Sequence, residues 1–227
     1  MSSPIVAPLL SRRELLLAAA SVPLAACSQT PTLELVRDTM AVTLGTGDGY
    51  PRTRQQVEDT PYAQLGVRIG RGSRGIMVLS QQQGDELQWL SANRIMLSVM
   101  HGRIVKTVGL PTDMTGSQSF GPDLLQQYNH TRPDRPLERL RRSVDAGTRF
   151  GISVTSDFTI EGTETITILD QAVETMRVRE DFQSSDRQWR QTNRYWLSLR
   201  SALAWRSVQH VTPGQPPLEL EVLKRPA

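Results

Sequence analysis

ELQWLSANRIMLSVMHGRIVKTV, residues 86–108, decides the fold class. Three apolar stretches lie within it: Glu86–Leu90, Ile95–Val99 and Arg103–Val108. Each is strand-length, and His101-Gly102 joins the last two as a tight turn. Strands linked this closely must pair with their sequence neighbours, which makes an antiparallel meander. Upstream, Leu65, Val67 and Ile69 alternate with Gln64, Gly66 and Arg68. Gly75–Leu79 is a continuous apolar strand, and Gly84-Asp85 is the turn that follows it. Downstream, Phe150, Ile152 and Val154 alternate with Gly151, Ser153 and Thr155. Ile166 and Ile168 form the next strand, beyond a turn placed at Glu161-Gly162. Met176 and Val178, then Tyr195, Leu197 and Leu199, repeat the pattern. Leu203 and Trp205 begin another strand, and Leu218, Leu220 and Val222 make the last. Period two with one wet and one dry face predicts an all-β antiparallel meander sheet.

The interruptions are few. Arg52–Asp59 reads as a short polar helix, stopped before Pro61. Residues 111–138 are rich in Pro, Asp, Gln and Gly and read as a connection, with a helical turn or two at Pro122–Tyr128. Arg139–Arg142 is locally basic and reads as a solvated loop or an edge strand. Gly45–Gly49 is turn chemistry.

The N-terminus carries a different signal. Leu24-Ala25-Ala26-Cys27 has the pattern of a bacterial lipobox, and Cys27 is the chain's only cysteine. Its thiol would take the diacylglycerol, which excludes a disulfide. Leu15–Ala26 is apolar over twelve residues, well short of the about 20 that span a bilayer, so it reads as a cleaved signal. Ser11-Arg12-Arg13-Glu14-Leu15-Leu16 fits the twin-arginine export pattern, with Arg12 and Arg13 as the export pair. Replacing both by Lys is expected to abolish export by that route, whereas unchanged export would return the signal to the Sec class. Ser28 in place of an aspartate favours the outer membrane, on its periplasmic face. Two or three acyl chains, palmitate among them, would hold the protein there. The expected organisation is a signal peptide over 1–26, a lipid-anchored tether over 27–50 and one β-rich domain over 51–227.

Without residues 1–26 the chain holds 24 basic and 22 acidic side chains. So even a balance points away from nucleic acid. Gly70-Arg71-Gly72-Ser73-Arg74-Gly75 satisfies G-x-G-x-x-G, yet a strand follows where a dinucleotide site needs a helix. It reads as a hairpin loop. His101, His130 and His210 are scattered, with no second ligand at metal spacing, so neither metal nor cofactor is expected. No serine sits in a nucleophile elbow, and no pair of carboxylates stands out. The aromatic residues are more suggestive. Trp89, Tyr195, Trp196 and Trp205 are candidates for stacking on sugar rings, set against the simpler role of filling a core poor in Phe. Trp196 is out of phase with Tyr195, so one of the two must face away from the core.

Several blocks together resemble the YjbF/GfcB family of lipoproteins. They are Thr60-Pro61-Tyr62-Ala63, Val67-Arg68-Ile69, Trp89-Leu90-Ser91 and His101–Pro111. Asn193-Arg194-Tyr195-Trp196, Trp205-Arg206-Ser207 and the closing Glu219–Pro226 complete the set. Ala202-Leu203-Ala204 departs from the polar, glycine-containing turn frequent in that family. The resemblance implies a β-rich fold similar to the open or half barrels of lipoprotein carriers. It also implies an accessory, non-enzymatic role in capsule or exopolysaccharide export, with the polysaccharide or an export protein as partner. It brings no catalytic residues. Two alternatives stay open: a lipid or lipoprotein carrier with an apolar concave sheet, and a polysaccharide hydrolase with two carboxylates in a cleft.

Overall fold

The structure is a computed structural model and describes residues 49–121, 123–127, 139–201 and 203–226. The export arginines Arg12 and Arg13, Cys27, His130 and most of the tether lie outside the described residues. Twelve strands form one antiparallel sheet. They are β1 (Gln64–Ile69), β2 (Gly75–Gln83), β3 (Glu86–Ser91), β4 (Met96–Met100), β5 (Arg103–Val108) and β6 (Met114–Phe120). β7 (Leu140–Ala146), β8 (Arg149–Ile168), β9 (Gln171–Ser184), β10 (Arg190–Ser198), β11 (Ala204–Gln209) and β12 (Leu218–Lys224) follow. Helix α1 (Arg54–Glu58) precedes the sheet, and α2 (Leu124–Gln127) lies between β6 and β7.

The strand order is β5-β4-β3-β2-β1-β12-β11-β10-β9-β8-β7-β6. Consecutive strands are neighbours everywhere but between β5 and β6, and one further pairing joins strands distant in sequence. β1 pairs with β12, which joins the two ends of the chain in mid-sheet. β5 and β6 follow one another yet stand at opposite edges of the sheet. Laid flat, twelve strands at about 4.8 Å spacing would hold those edges about 50 Å apart. Residues 109–113 must bridge them, and so short a segment reaches less than about 25 Å. The sheet therefore rolls into a nearly closed barrel with one unsealed seam between β5 and β6. At one end of the seam, side chains replace the missing ladder. The Asp113 carboxylate accepts from the Gly109 and Leu110 amides and the Thr107 hydroxyl, and Thr107 Oγ1 accepts from the Met114 amide at 2.9 Å. The antiparallel meander and the open barrel expected from sequence are both present.

Alternation sends one face of each strand inward. Leu65, Met77, Trp89, Leu97, Val154, Phe182 and Leu220 fill the interior, and the Trp189 ring meets Phe182 edge-on at 4.9 Å. Leu125 of α2 enters the barrel against Leu140, Phe158, Val178 and Leu197.

Three sequence expectations need correction. Glu161-Gly162 is not a turn: β8 continues through a bulge there, with Gly162 at a φ of 104° that glycine tolerates. The reversal comes at Leu169-Asp170, both at positive φ, in the backbone form of a tight hairpin without the glycine that usually marks it. β8 and β9 thus make a hairpin longer than the barrel wall. Its distal part lays Ile166 and Ile168 on the outer surface, against Val57 of α1, Ile76 of β2 and Leu223 of β12. Second, β6 lies inside the stretch read as a connection. Met-Thr-Gly-Ser-Gln-Ser-Phe is too polar to show alternation, as suits an edge strand. Third, Arg139–Arg142 is not a solvated run: β7 turns Leu140 and Arg142 into the barrel, while Arg139 stays outside on Asp157.

α1 is the helix expected at 52–59. Thr53 and Gln56 close its N-terminus as a capping box. Arg54 donates to the carbonyls of Ile168 and Leu223, tying hairpin and barrel together. The G-x-G-x-x-G stretch is the β1–β2 hairpin loop, and the β10–β11 hairpin closes with Ser198 N–H donating to Leu203 O at 2.8 Å.

Candidate functional site

The outer face of β12 points Glu219 and Glu221 away from the core, and the neighbouring strands supply arginines. Arg68 of β1 lies opposite Glu219, and Arg206 of β11 lies opposite Glu221. Both pairs form salt bridges. Arg74, just before β2, donates to Glu219 and to Glu221 at 2.9 Å. Tyr50 completes the cluster: its hydroxyl donates to Glu221 at 2.6 Å and accepts from Arg74 at 2.9 Å. The ring lies flat on Gly66, where a Cβ would fall 2.3 Å from the Tyr50 oxygen, so glycine is required beneath it. Burial, then the Glu221 charge, pushes the Tyr50 phenol far above its ordinary range. Three guanidinium groups thus share two carboxylates.

A cleft of about 560 Å³ opens beside this cluster, lined by Tyr50, Arg52, Gln56, Arg74, Asp170 and Arg206. Trp196 adjoins it. The Arg206 guanidinium lies 5.7 Å from the Trp196 ring centre, and the indole N–H donates to Glu164 of the long hairpin at 2.9 Å. That hydrogen bond, and then Arg177, lowers the Glu164 carboxyl. Trp205 packs on the same outer cluster and carries Arg225 at 5.5 Å. Half-buried indoles beside arginines offer flat faces for sugar rings and planar donors for carboxylates.

A second polar cluster lies inside the barrel. Glu180 of β9 is wholly buried. It accepts from Arg103 at 2.9 Å, Arg142 at 3.2 Å, Tyr195 at 2.8 Å and Asn193 at 3.0 Å. Arg103 also clamps Asp123 with two nitrogens, at 2.6 and 3.1 Å. Burial alone would raise the Glu180 carboxyl, but Arg103 and Arg142 outweigh it and hold it far below the usual carboxylate range. Asp123 is held down in the same way by Arg103. Burial and the Arg103 charge lower Arg142, while burial and Glu180 raise the Tyr195 phenol. A glycoside hydrolase needs one carboxyl held up as an acid; here both are held down. The network spans β5, β7, β9, β10 and the start of α2, and so it braces the seam.

The sequence candidates therefore separate. Trp89 and Tyr195 lie in the interior, where Tyr195 is covered by Arg103 at 5.7 Å. Trp196 packs on the outer cluster, while Trp205 touches both the outer and the interior cluster, so the Tyr195/Trp196 phase difference resolves with Tyr195 inward. His101 is a turn residue beside Asp85 at 3.4 Å. His210 lies just past β11, its imidazole lowered by burial. Among the described residues, no three His, Cys, Asp or Glu side chains gather as a metal site. Tyr50, Arg74, Arg206 and Glu221 were missed from sequence. Glu219 and Glu221 alternate visibly in β12, but their arginines come from strands whose pairing no local pattern shows.

A single nearly closed meander barrel, filled with side chains and braced by a buried ion network, defines the class of protein. Within that class the chain belongs to the YjbF family, described as "Group 4 capsule polysaccharide lipoprotein gfcB, YjbF", which it matches over residues 37–223. It is 26% identical over 215 residues to the uncharacterized lipoprotein GfcB of Escherichia coli strain K12, covering 93% of this chain and 98% of that protein. To the uncharacterized lipoprotein YjbF of the same strain it is 24% identical over 214 residues, covering 88% and 92%. The crystal structure of the E. coli lipoprotein YmcC superposes with a TM-score of 0.69 at 22% identity, over 88% of this chain and 99% of that one. That likeness supports the fold.

Proposed function

We propose that this protein is a lipid-anchored, non-enzymatic accessory factor for export or assembly of a capsule or exopolysaccharide, and that the Trp196–Arg206 cleft contacts the glycan. The observation that carries the glycan role is the cleft lined by Arg52, Arg74 and Arg206, with the half-buried Trp196 ring beside the Arg206 guanidinium. Such a surface suits an acidic polymer, because guanidinium groups pair with carboxylates in two-point geometry. Family membership supports the capsule association. Anchoring is assigned to lipid on Cys27, with the protein on the periplasmic face of the outer membrane after export through the Arg12-Arg13 signal. Cys27→Ser should release it from membranes and abolish labelling with palmitate. Retained labelling would remove Cys27 from this role.

The test of the glycan role is a titration of residues 28–227 with the exopolysaccharide of its own source, followed by tryptophan fluorescence. A saturable shift is expected, lost in Trp196→Ala and weakened in Arg206→Ala with the fold intact. No shift and no heat of binding would sink direct glycan contact and move the search to an export protein.

A further inference from the structure

Residues 50–53 line the outer cleft, as do Leu169 and Asp170 of the β8–β9 turn. The chain on both sides of Arg52 is fixed. Tyr50 is held by its hydroxyl on Glu221 and Arg74, and Thr53 by the capping box of α1. Pro51 between them has its φ locked by its own ring. The root of the Arg52 side chain is therefore set in place on the cleft wall, where the residue is half-buried.

The other arginines of the cleft are taken up by the fold. Arg74 donates to Glu219, Glu221 and Tyr50, and Arg206 donates to Glu221 and to the Thr167 carbonyl. Arg54, two residues further along the chain, is occupied by the carbonyls of Ile168 and Leu223. Arg52 differs. Among the described residues it has neither a hydrogen bond nor an ion pair, although Asp170 lines the same cleft. A guanidinium carries five N–H donors in a planar fork and gains most from an ionised acceptor.

We propose that Arg52 selects the glycan by pairing with the carboxylate of a uronic acid residue, so that the cleft takes an acidic polymer in preference to its neutral counterpart. This rests on the glycan reading of the cleft and names the sugar class and the residue that reads it. Two parallel N–H groups of the fork match the two coplanar oxygens of a carboxylate. A neutral sugar would set a hydroxyl there, a weaker acceptor that leaves the charge unpaired. Arg74 and Arg206 cannot take this part without giving up Glu219 and Glu221, which hold them against β12.

The test is calorimetric titration of residues 28–227 with the exopolysaccharide of its own source, native and after its carboxyl groups have been reduced to alcohols. Wild type should bind the native polymer about tenfold or more tightly than the reduced one. Arg52→Ala should remove that preference: native binding weakens by about the same factor and binding of the reduced polymer stays unchanged. The melting temperature should not move, because Arg52 holds no partner in the fold. Should Arg52→Ala fail to fold, Arg52→Lys makes the same comparison, keeping the charge and losing the fork, and should narrow the preference. If the native polymer does not bind wild type at all, the glycan reading falls and the role of Arg52 with it. If wild type binds both polymers equally, or if the substitution weakens both alike, the cleft still binds glycan and the role of Arg52 alone is overturned.

Discussion

Glu180 ties the barrel together across strands, because it takes hydrogen bonds from β5, β7 and β10 at once. Glu180→Gln would leave Arg103 and Arg142 buried without their shared counter-charge. Breaking a buried pair from one side costs about 3–5 kcal/mol, so urea denaturation at pH 7 should show a loss of that size. The same residue sets an acid limit. Its carboxyl is depressed in the folded state, so the stability it contributes is complete above the unfolded carboxylate pKa of about 4.3 and drains away as pH falls below it. Melting temperature should therefore drop between about pH 5 and pH 3 in the wild type, and less steeply in Glu180→Gln. Equal slopes would show that other carboxylates control acid unfolding. By contrast, the Arg139–Asp157 pair is exposed on both sides, and Arg139→Ala should cost well under about 1 kcal/mol. Little of this was legible in the sequence. The Trp196/Tyr195 phase could be read from alternation alone, but a charged core could not. A Glu flanked by Arg179 and Asp181 in β9 looks like any solvated strand face, and only the barrel's curvature brings Arg103 to it.

The β8–β9 hairpin shows where element-level reading succeeds and where it stops. Its alternation was plain, and its strands were recognised. Its length was misjudged because the bulge contains a glycine, while the true turn, Leu169-Asp170, uses residues that seldom adopt positive φ. The overhang gives the outer face of β2 and β12 a cover, burying Ile166 and Ile168 with Val57, Ile76 and Leu223. Ile168→Ala should cost about 2–4 kcal/mol, measured by denaturant titration. It should also make the hairpin the first site cut by protease. A cost near zero would mean that the overhang rests on the barrel without stabilising it. β6 was missed for the opposite reason: an edge strand has no second neighbour demanding a regular apolar face.

At the scale of the molecule, the meander and the all-β class followed from period two and short turns, and the short link between β5 and β6 turns a sheet into a barrel. The seam has a measurable signature. β5 and β6 each have only one hydrogen-bonded strand neighbour, whereas β1 and β12 have two. Amide exchange of β5 and β6 should therefore run ahead of that of β1 and β12. Uniform protection around the ring would show that the seam is sealed in solution.

The pairing of β1 with β12 also governs how the chain finds its shape. Every other ladder in the sheet joins strands adjacent in sequence, so each can form as a local hairpin at small loop-closure cost. The β1–β12 join instead brings together Arg68 and Glu219, 151 residues apart. The two arms, β1–β5 and β6–β12, can assemble independently, and the kinetic barrier then falls at the moment they dock along that line. A charge pair placed on the docking line favours their encounter, which makes the refolding rate of this barrel sensitive to salt and to Arg68.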